Sequence, residues 1–463
     1  MIARELARWA LGLAGAPGPV EAAATRHLLD GFGTALGALR TGAAGPAIEV
    51  ARGLGGPPEA AVLGTGDLLS APAAALANGT LVHALDFDDT HAGGLVHATA
   101  VVLPAAFAVG QQTRASGREV LTAAIAGYET ACRVAAAAPH GFHARGLHAT
   151  MVAGVFSSAL VAARLLGLDA ERATAALGIA GSQAGGLLAF LGTGASTKQL
   201  HPGLASQSGI IAARLAAAGA TGPETVFDGP HGVFDALSAN PADPASIVDG
   251  LGDRWETGRI GIKPYAACQL SHATIGAVLD AMAREPFGPE DVAGVHARVH
   301  PDSAAVVCDT SRDLTRPASP YAAKFSLPWT VAALIADGGL TLETFAPGSI
   351  ARPAVTRLAA RVRWDVTGAS GVAAADAPGH VTIALTDGRE VTGSVPRSEG
   401  GGDFPLSRAA LLAKFTGNAG VPAADAREFA RAVESLAAQP DAAAVMRAAA
   451  RLAQTTHSAR ENG

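Results

Sequence analysis

The chain has little cysteine and no surplus of positive charge, and each shortage excludes a class of protein. The three cysteines in 463 residues, Cys132, Cys268 and Cys308, lie far apart. They therefore predict neither a disulfide framework nor a thiolate zinc site. Lysine and arginine number 34 against 40 acidic residues, which gives a formal net charge of −6. Because no basic run could follow a phosphate backbone, we expect no nucleic-acid partner.

Long apolar runs are also scarce. Residues 176–197 carry no charge, but their glycines, serines and threonines favour a buried helix followed by a tight loop over a membrane span. The N-terminal segment has charges interspersed among its apolar residues and lacks the apolar core of a signal peptide. We therefore predict a cytoplasmic protein that does not contact a membrane.

The spacing of apolar residues changes along the chain. From Ile2 to about Leu251 they recur every three or four positions, which predicts packed helices. After about Ile260 the period becomes two, and residues 380–395 alternate on both sides of Asp387-Gly388, as in a hairpin. Residues 292–300 and 359–366 are further strand candidates, and residues 325–337 are a helix candidate.

These patterns predict a mainly α protein with an inserted α+β domain. We place a helical domain at residues 1–260, an α+β lid domain at 261–402 and the returning part of the helical domain at 403–463. A chain of this length is expected to form more than one domain.

Acidic residues and histidines are concentrated in residues 81–99, LVHALDFDDTHAGGLVHAT. If this segment begins as a helix, Asp86 and Thr90 share one face, and two glycines then let His97 fold back toward them. A carboxylate beside an imidazole suits proton transfer. The alternative is a turn, which the run Asp88–Thr90 also favours.

Two further motifs add basic groups. Lys198 follows a glycine-rich apolar stretch, so its ammonium either pairs with an anion or loses its proton and serves as a base. An exposed loop lysine is the alternative. The motif, which also carries His201, lacks the ending of a phosphate-binding loop, so we expect no nucleotide. His148 directly precedes a segment whose apolar residues recur at helical spacing. A structural role at the start of that helix is the alternative to a catalytic role.

Other histidines and a junction motif are weaker candidates. His140, His143 and His148 could form a zinc site, which would make the protein a zinc hydrolase. The junction motif GIKPYAACQLSH places Lys263 where it could reach a ligand between two domains. For Cys268 in the same motif, an inert buried thiol is the alternative to a nucleophile.

Five motifs, taken in chain order, resemble the MmgE/PrpD family: HALDFDDTH, HATMVAGVFSSALVAARLLGLD, STKQLHPGLASQSG, IKPYAACQLSHATI and KFSLPWTVAALIADG. This family includes 2-methylcitrate dehydratase, cis-aconitate decarboxylase and an iminodisuccinate epimerase. The resemblance implies a large helical domain built from both ends of the chain, with a smaller α+β lid. It also implies a homodimer, no metal and no cofactor.

The resemblance implies an active site for a small di- or tricarboxylic acid that loses a proton from a carbon next to a carboxylate. Its implied catalytic residues are His97, His148 and Lys198. Its implied substrate-binding residues are Asp86, Thr90, His201, Lys263, Tyr265 and Cys268.

The chain departs from the cis-aconitate decarboxylase pattern at two side chains. Cys268 stands in place of a histidine, and Trp329 stands in place of a tyrosine. Because the imidazole is missing at one position and the phenol at the other, decarboxylation of cis-aconitate is disfavoured, and we predict a hydro-lyase similar to 2-methylcitrate dehydratase. The alternatives are an epimerase of a dicarboxylate such as iminodisuccinate, a decarboxylase, and a non-catalytic protein that binds a carboxylic acid.

Overall fold

The structure is a computed structural model that describes residues 1–368, 371–372 and 374–461, with side chains described as far as residue 455. Its helices are α1 Ile2–Gly12, α2 Gly18–Thr41, α3 Gly45–Gly53, α4 Ala71–His83, α5 Thr99–Thr113, α6 Gly117–Ala136, α7 Gly141–Ala144, α8 Ala149–Leu165, α9 Ala170–Gly181, α10 Thr197–Ala217, α11 Val233–Leu237, α12 His272–Arg284, α13 Pro301–Val307, α14 Pro320–Ala323, α15 Leu327–Asp337, α16 Pro347–Ile350, α17 Pro353–Ala359, α18 Arg408–Ala419, α19 Ala423–Glu434 and α20 Ala443–Glu461. Its strands are β1 Ala60–Ala61, β2 Leu68–Leu69, β3 Asp89–His91, β4 Ile260–Ile262, β5 Val292–Val299, β6 Val362–Val366, β7 Gly379–Leu385 and β8 Glu390–Val395.

The chain divides into two compact units. One consists of Met1–Ile262 together with Ser407–Gly463, and the other is Lys263–Leu406. The first is built almost wholly from helices, and the second contains a four-stranded sheet beside its helices. The predicted fold class, mainly α with an inserted α+β domain, is confirmed.

In the first unit, α4 and α10 touch at the level of their backbones. A Cβ atom built on Gly203 of α10 would lie 2.2 Å from the carbonyl oxygen of Leu76 in α4, and one built on Gly79 would lie 2.7 Å from the Cα of Gly203. Helices α5 and α8 are buried along nearly their whole length. Small residues therefore let these axes approach closely, which makes a dense core possible with few aromatic side chains.

The second unit follows the period-two pattern of its sequence. Its sheet has the order β6-β5-β7-β8, in which β5 and β6 are parallel and the other pairs are antiparallel. The predicted hairpin is confirmed as β7 and β8, and Gly388 in its turn has a φ of +89°. A left-handed residue is what such a tight turn requires, and glycine adopts it without strain.

Of the two alternatives for residues 81–90, the structure has the turn and not a continuous helix. Helix α4 ends at His83, Asp86 takes a φ of +52°, and Thr90 lies in β3, which pairs antiparallel with β4. An aspartate tolerates the left-handed conformation better than most residues, which lets the chain turn sharply there. The acidic residues of this segment therefore lie in a turn and in the short strand that follows it.

Residues 176–197 are partly helical. Helix α9 ends at Gly181, and the charge-free segment continues as irregular chain with one short 3₁₀ turn at Leu188–Gly192. Within the described part of the chain, no helix has the length and apolarity needed to cross a membrane.

Candidate active site

Three buried imidazoles converge at helix ends in the first unit. His83 is the last residue of α4, His97 lies just before α5, and His148 occupies the N-cap position of α8 without a capping hydrogen bond from its side chain. The ring centroids of His83 and His97 are 4.6 Å apart, and the His148 ring lies 5.8 Å from His83 and 5.7 Å from His97. Because each helix is anchored by its buried face, the backbone of each of the three histidines is held in place.

The surroundings of His97 determine which ring nitrogen carries its proton. Its Nδ1 lies 2.7 Å from the carbonyl oxygen of Asp89, which can only accept a hydrogen bond. Nδ1 therefore donates, and in the neutral ring the lone pair is on Nε2. The Thr90 hydroxyl lies 3.2 Å from the same Nδ1, and the backbone N–H of His97 donates to the Thr150 hydroxyl at 3.1 Å. A neutral, oriented imidazole of this kind can act as a base.

His83 is a member of the cluster that the sequence analysis did not place among the site residues. Its Nδ1 donates to Asp88 Oδ2 at 2.8 Å, and Asp88 Oδ1 lies 3.8 Å from His97 Nδ1. The Nε2 atom of His83 is buried and has no hydrogen-bond partner within the described residues. The available sequence signal was its position in the histidine-rich segment, five residues before Asp88.

His148 and His201 face each other through their Nδ1 atoms, which are 3.1 Å apart. One ring must donate this hydrogen bond and the other must accept it. Burial lowers the pKa of His148 well below its usual range, and the Lys198 ammonium lowers it further. Burial, the imidazole of His83 and the Lys198 ammonium lower the pKa of His201 to about 4. Both rings are therefore neutral near pH 7 in the absence of a bound anion.

Lys198 supplies a positive charge that acts on His148 and His201. It lies in the first turn of α10, and its Nζ is 2.9 Å from Oδ1 of Asp86, with both side chains buried. Next to it, the Gln199 side chain donates to the carbonyl oxygen of Ala84 at 2.9 Å. These two contacts attach the start of α10 to the turn that follows α4.

Asp89 fixes the start of α5. Its carboxylate accepts hydrogen bonds from the backbone N–H and the hydroxyl of Thr99, and that hydroxyl lies 2.9 Å from the Tyr128 hydroxyl. Burial and the neighbouring charge of Asp88 raise the pKa of Asp89 to about 8. The Asp89 side chain is therefore protonated at neutral pH and serves to position the loop.

His91 closes the same loop from its other side. Its Nδ1 accepts from the backbone N–H of Gly94 at 3.2 Å, so its Nε2 donates to Oε2 of Glu256 at 3.0 Å. The hydrogen bond from His91 lowers the pKa of Glu256 to about 2. This buried pair holds the loop between β3 and α5 against the segment that leads into β4.

The predicted site residues fall into two groups. The structure brings together, in the first unit, Asp86, Thr90, His97, His148, Lys198 and His201. The remaining three, Lys263, Tyr265 and Cys268, belong to the second unit, where the Tyr265 ring lies edge-on to His272 at 5.3 Å. Burial and the charge of Glu399 raise the pKa of Tyr265 to about 12. The substrate contacts of these three residues stay a prediction.

Two groups of side chains in the described residues have the geometry to hold a metal ion. One is His83, His97 and His148, and the other is His83, Asp86, Asp88 and His97; in each group the potential ligand atoms lie within 4.8 Å of one another. Neither group contains His140 or His143, on which the zinc-hydrolase alternative depended. That alternative therefore has no support from the described geometry.

Two family models match consecutive parts of the chain. The MmgE/PrpD N-terminal domain matches residues 4–244, and the MmgE/PrpD C-terminal domain matches residues 265–438. A cis-aconitate decarboxylase of Aspergillus terreus is 29% identical over 447 residues, which cover 90% of this chain and 89% of that relative. The cis-aconitate decarboxylase of Homo sapiens is 29% identical over 358 residues, which cover 75% of this chain and 72% of the relative.

Proposed function

The chain belongs to the MmgE/PrpD family, and on that premise we propose that it is a lyase that acts on a small di- or tricarboxylic acid without a metal or cofactor. His97 takes a proton from a carbon next to a substrate carboxylate. The observation that carries this assignment is the hydrogen bond from His97 Nδ1 to the Asp89 carbonyl, because it directs the lone pair to Nε2.

Lys198 serves as a cation and not as the base. Its Nζ forms an ion pair with Oδ1 of Asp86 at 2.9 Å, and both side chains are buried. The ammonium binds a substrate carboxylate and stabilises the negative charge that develops there as the proton leaves. Thr90, beside the His97 Nδ1, helps hold the base in its orientation.

His148 serves as the acid once the substrate has bound. Burial and, after it, the Lys198 ammonium keep His148 neutral in the free protein. Substrate carboxylates bring negative charge beside this ring, which favours its protonated form and lets it act as the acid. In a dehydration, His97 takes the α-proton, the bond from the β-carbon to the hydroxyl breaks, and the departing hydroxyl leaves as water with the His148 proton. His201 orients His148 through the contact between their Nδ1 atoms.

Dehydration of a substrate such as 2-methylcitrate is the first candidate reaction, with decarboxylation second. Both cited relatives are named cis-aconitate decarboxylases, which supports the second candidate. Cys268 and Trp329, which stand in place of a histidine and a tyrosine in the decarboxylase pattern, support the first. Epimerisation needs the same base, and it differs because the proton returns to the opposite face of the same carbon.

The test is incubation of the purified protein in deuterium oxide with 2-methylcitrate, citrate, cis-aconitate and iminodisuccinate, followed by proton NMR. A new alkene with all carboxylates retained supports a dehydratase, and loss of carbon dioxide supports a decarboxylase. Solvent deuterium in recovered substrate without either change supports an epimerase. Absence of turnover and of exchange with all four acids would contradict the proposal and favour a binding protein.

The base assignment is tested by His97→Gln. We expect the rate to fall by about 10²-fold or more, because the amide cannot accept the α-proton. His296→Gln is the matched control, since this imidazole lies on the second unit with 46% of its side chain exposed. Circular dichroism of both variants checks that the fold is kept. A His97→Gln rate close to that of the control would assign the base elsewhere.

A further inference from the structure

The proposed reaction does not use His83, although this residue lies in the centre of the imidazole cluster. Its ring is 4.6 Å from that of His97 and stacks on that of His148 at 5.8 Å. The Nε2 atoms of His83 and His148 are both buried without a hydrogen-bond partner within the described residues. An unsatisfied buried polar atom costs about 1–3 kcal/mol, so two of them side by side indicate a position that a ligand can occupy.

Each of the three rings already has a partner at Nδ1. His83 donates to the Asp88 carboxylate and His97 donates to the carbonyl oxygen of Asp89, while His148 faces His201. Metal-binding histidines are oriented in this way, because a partner at one nitrogen fixes the ring and directs the other nitrogen at the ion. The Nδ1 contacts therefore direct the three Nε2 atoms toward metal coordination.

The spacing of these rings suits a small transition-metal ion. The potential ligand atoms of His83, His97 and His148 lie within 4.8 Å of one another. In a tetrahedral zinc site with nitrogen ligands at 2.0–2.1 Å, two ligand nitrogens are roughly 3.3 Å apart. Small rotations of the three rings would close that difference. Three imidazoles select zinc over magnesium and calcium, which prefer oxygen ligands.

We propose that His83, His97 and His148 form a binding site for a zinc-class divalent cation, and that the bound cation inhibits the enzyme. The inhibition rests on the proposed function, because coordination takes the lone pair that His97 needs to accept the α-proton. Asp88 supplies negative charge beside two of the ligands. The ion pair of Lys198 with Asp86 remains intact, since neither group is a ligand in this set.

The binding test uses the full chain after treatment with a chelator and its removal by dialysis. Zinc chloride is titrated against the protein by calorimetry and in competition with a coloured chelator. We expect one zinc ion per chain and at least tenfold weaker binding by His83→Gln. His296→Gln is the matched control and is expected to bind like the parent chain. Equal zinc affinity of His83→Gln and the parent chain would overturn the proposed site.

X-ray absorption at the zinc edge identifies the ligands independently of any variant. We expect nitrogen or oxygen ligands at about 2.0–2.1 Å with the scattering pattern of imidazole, and no sulfur at about 2.3 Å. Sulfur ligands would place the ion at a cysteine and overturn the proposal. Asp88→Asn provides a second variant if His83→Gln does not fold. It keeps all three rings, and we expect an affinity 10- to 100-fold lower because His83 loses its carboxylate partner.

Binding and turnover are measured separately, so that the two proposals fail separately. Zinc held by imidazoles in a protein that converts no carboxylic acid would support the metal site and contradict the lyase. Turnover that falls as zinc saturates the site, and that returns when a chelator is added, would support both. If turnover is unchanged when one zinc ion is bound per chain, the proposed inhibition is wrong.

Discussion

At the scale of single residues, the site depends on buried groups whose protonation differs from that of the same groups in water. Asp89 is the clearest case, because burial and the neighbouring Asp88 raise its pKa to about 8 from the ordinary 3.8. His148 shows the opposite shift, because burial and the Lys198 ammonium disfavour its charged form. At neutral pH, Asp89 and His148 are therefore both uncharged in the free protein.

The raised pKa of Asp89 predicts how stability changes with pH. Between about pH 4 and pH 8 the folded chain holds a proton on Asp89 that the unfolded chain has lost. The free energy of unfolding therefore falls as pH rises through this interval, by about 1.4 kcal/mol per pH unit from this group. Asp89→Asn cannot ionise and is expected to lack this loss.

Urea unfolding at pH 5, 6 and 7 measures the effect. The stability of Asp89→Asn relative to the parent chain should increase at each step toward pH 7. Asp441→Asn is the control, because the pKa of Asp441 is lowered and the group stays ionised throughout this range. Parallel pH curves for Asp89→Asn and the parent chain would show that Asp89 is ionised in the folded protein.

At the scale of secondary-structure elements, the contact between α4 and α10 positions the two sides of the site. Helix α4 ends at His83, and α10 begins with Lys198 and His201 in its first turns. Residues three apart on a helix share a face, so Lys198 and His201 point toward the same region. The distance between these helices is set by Gly79 and Gly203, where the two backbones meet.

Gly203→Ala is expected to separate these helices and to lower both stability and activity. The new methyl group would meet the carbonyl oxygen of Leu76 at 2.2 Å, which only backbone movement can relieve. Overpacking of this kind costs about 1–3 kcal/mol. Urea unfolding and the rate with the identified substrate measure the two effects.

Gly417→Ala is the matched control for this change. It also replaces a glycine within a helix, but a Cβ atom there has nothing within 4 Å. We expect it to be neutral or slightly stabilising, because alanine favours helices over glycine by about 0.5–1 kcal/mol. If Gly203→Ala behaved in the same way, the close approach of α4 and α10 would not constrain the site.

At the scale of the whole molecule, residues from the two ends of the chain complete the first unit. Lys414 of α18 lies 2.6 Å from Oδ1 of Asp30 in α2, and its Nζ donates to the carbonyl oxygen of Phe87 at 2.7 Å. The same ammonium lies 4.1 Å from the centre of the Phe87 ring. Because Phe87 stands between Asp86 and Asp88, the C-terminal segment helps fix the turn that carries the site.

Lys414→Met is expected to destabilise the first unit by about 3–5 kcal/mol, because it removes one partner of a buried ion pair. Lys414 and Asp30 are almost fully buried, with side-chain exposures of 4% and 2%. Arg408 lies in the same helix as Lys414 and forms an exposed pair with Glu434 of α19, so Arg408→Met should cost about 0–1 kcal/mol. Urea unfolding compares the two, and equal losses would contradict a special role for Lys414.

The sequence was sufficient to predict the secondary structure wherever local periodicity determined it. Apolar spacing predicted α8, the alternation of residues predicted β5, and Asp387-Gly388 predicted the hairpin of β7 and β8. It left a helix and a turn as alternatives for residues 81–90, where the structure has a turn with a left-handed Asp86 after α4 ends at His83. Such a turn depends on contacts with other parts of the chain, which no local pattern contains.

Periodicity and ordered motifs are properties of the chain, so they were enough to predict the fold class and to single out Asp86, His97, His148 and Lys198. The pairing of these groups depends on how distant segments pack together. Lys198 meets Asp86, and His83 joins the cluster through Asp88. Contacts between residues more than a hundred positions apart arise from helix packing, and packing also determines the burial that shifts the pKa values of Asp89 and His148.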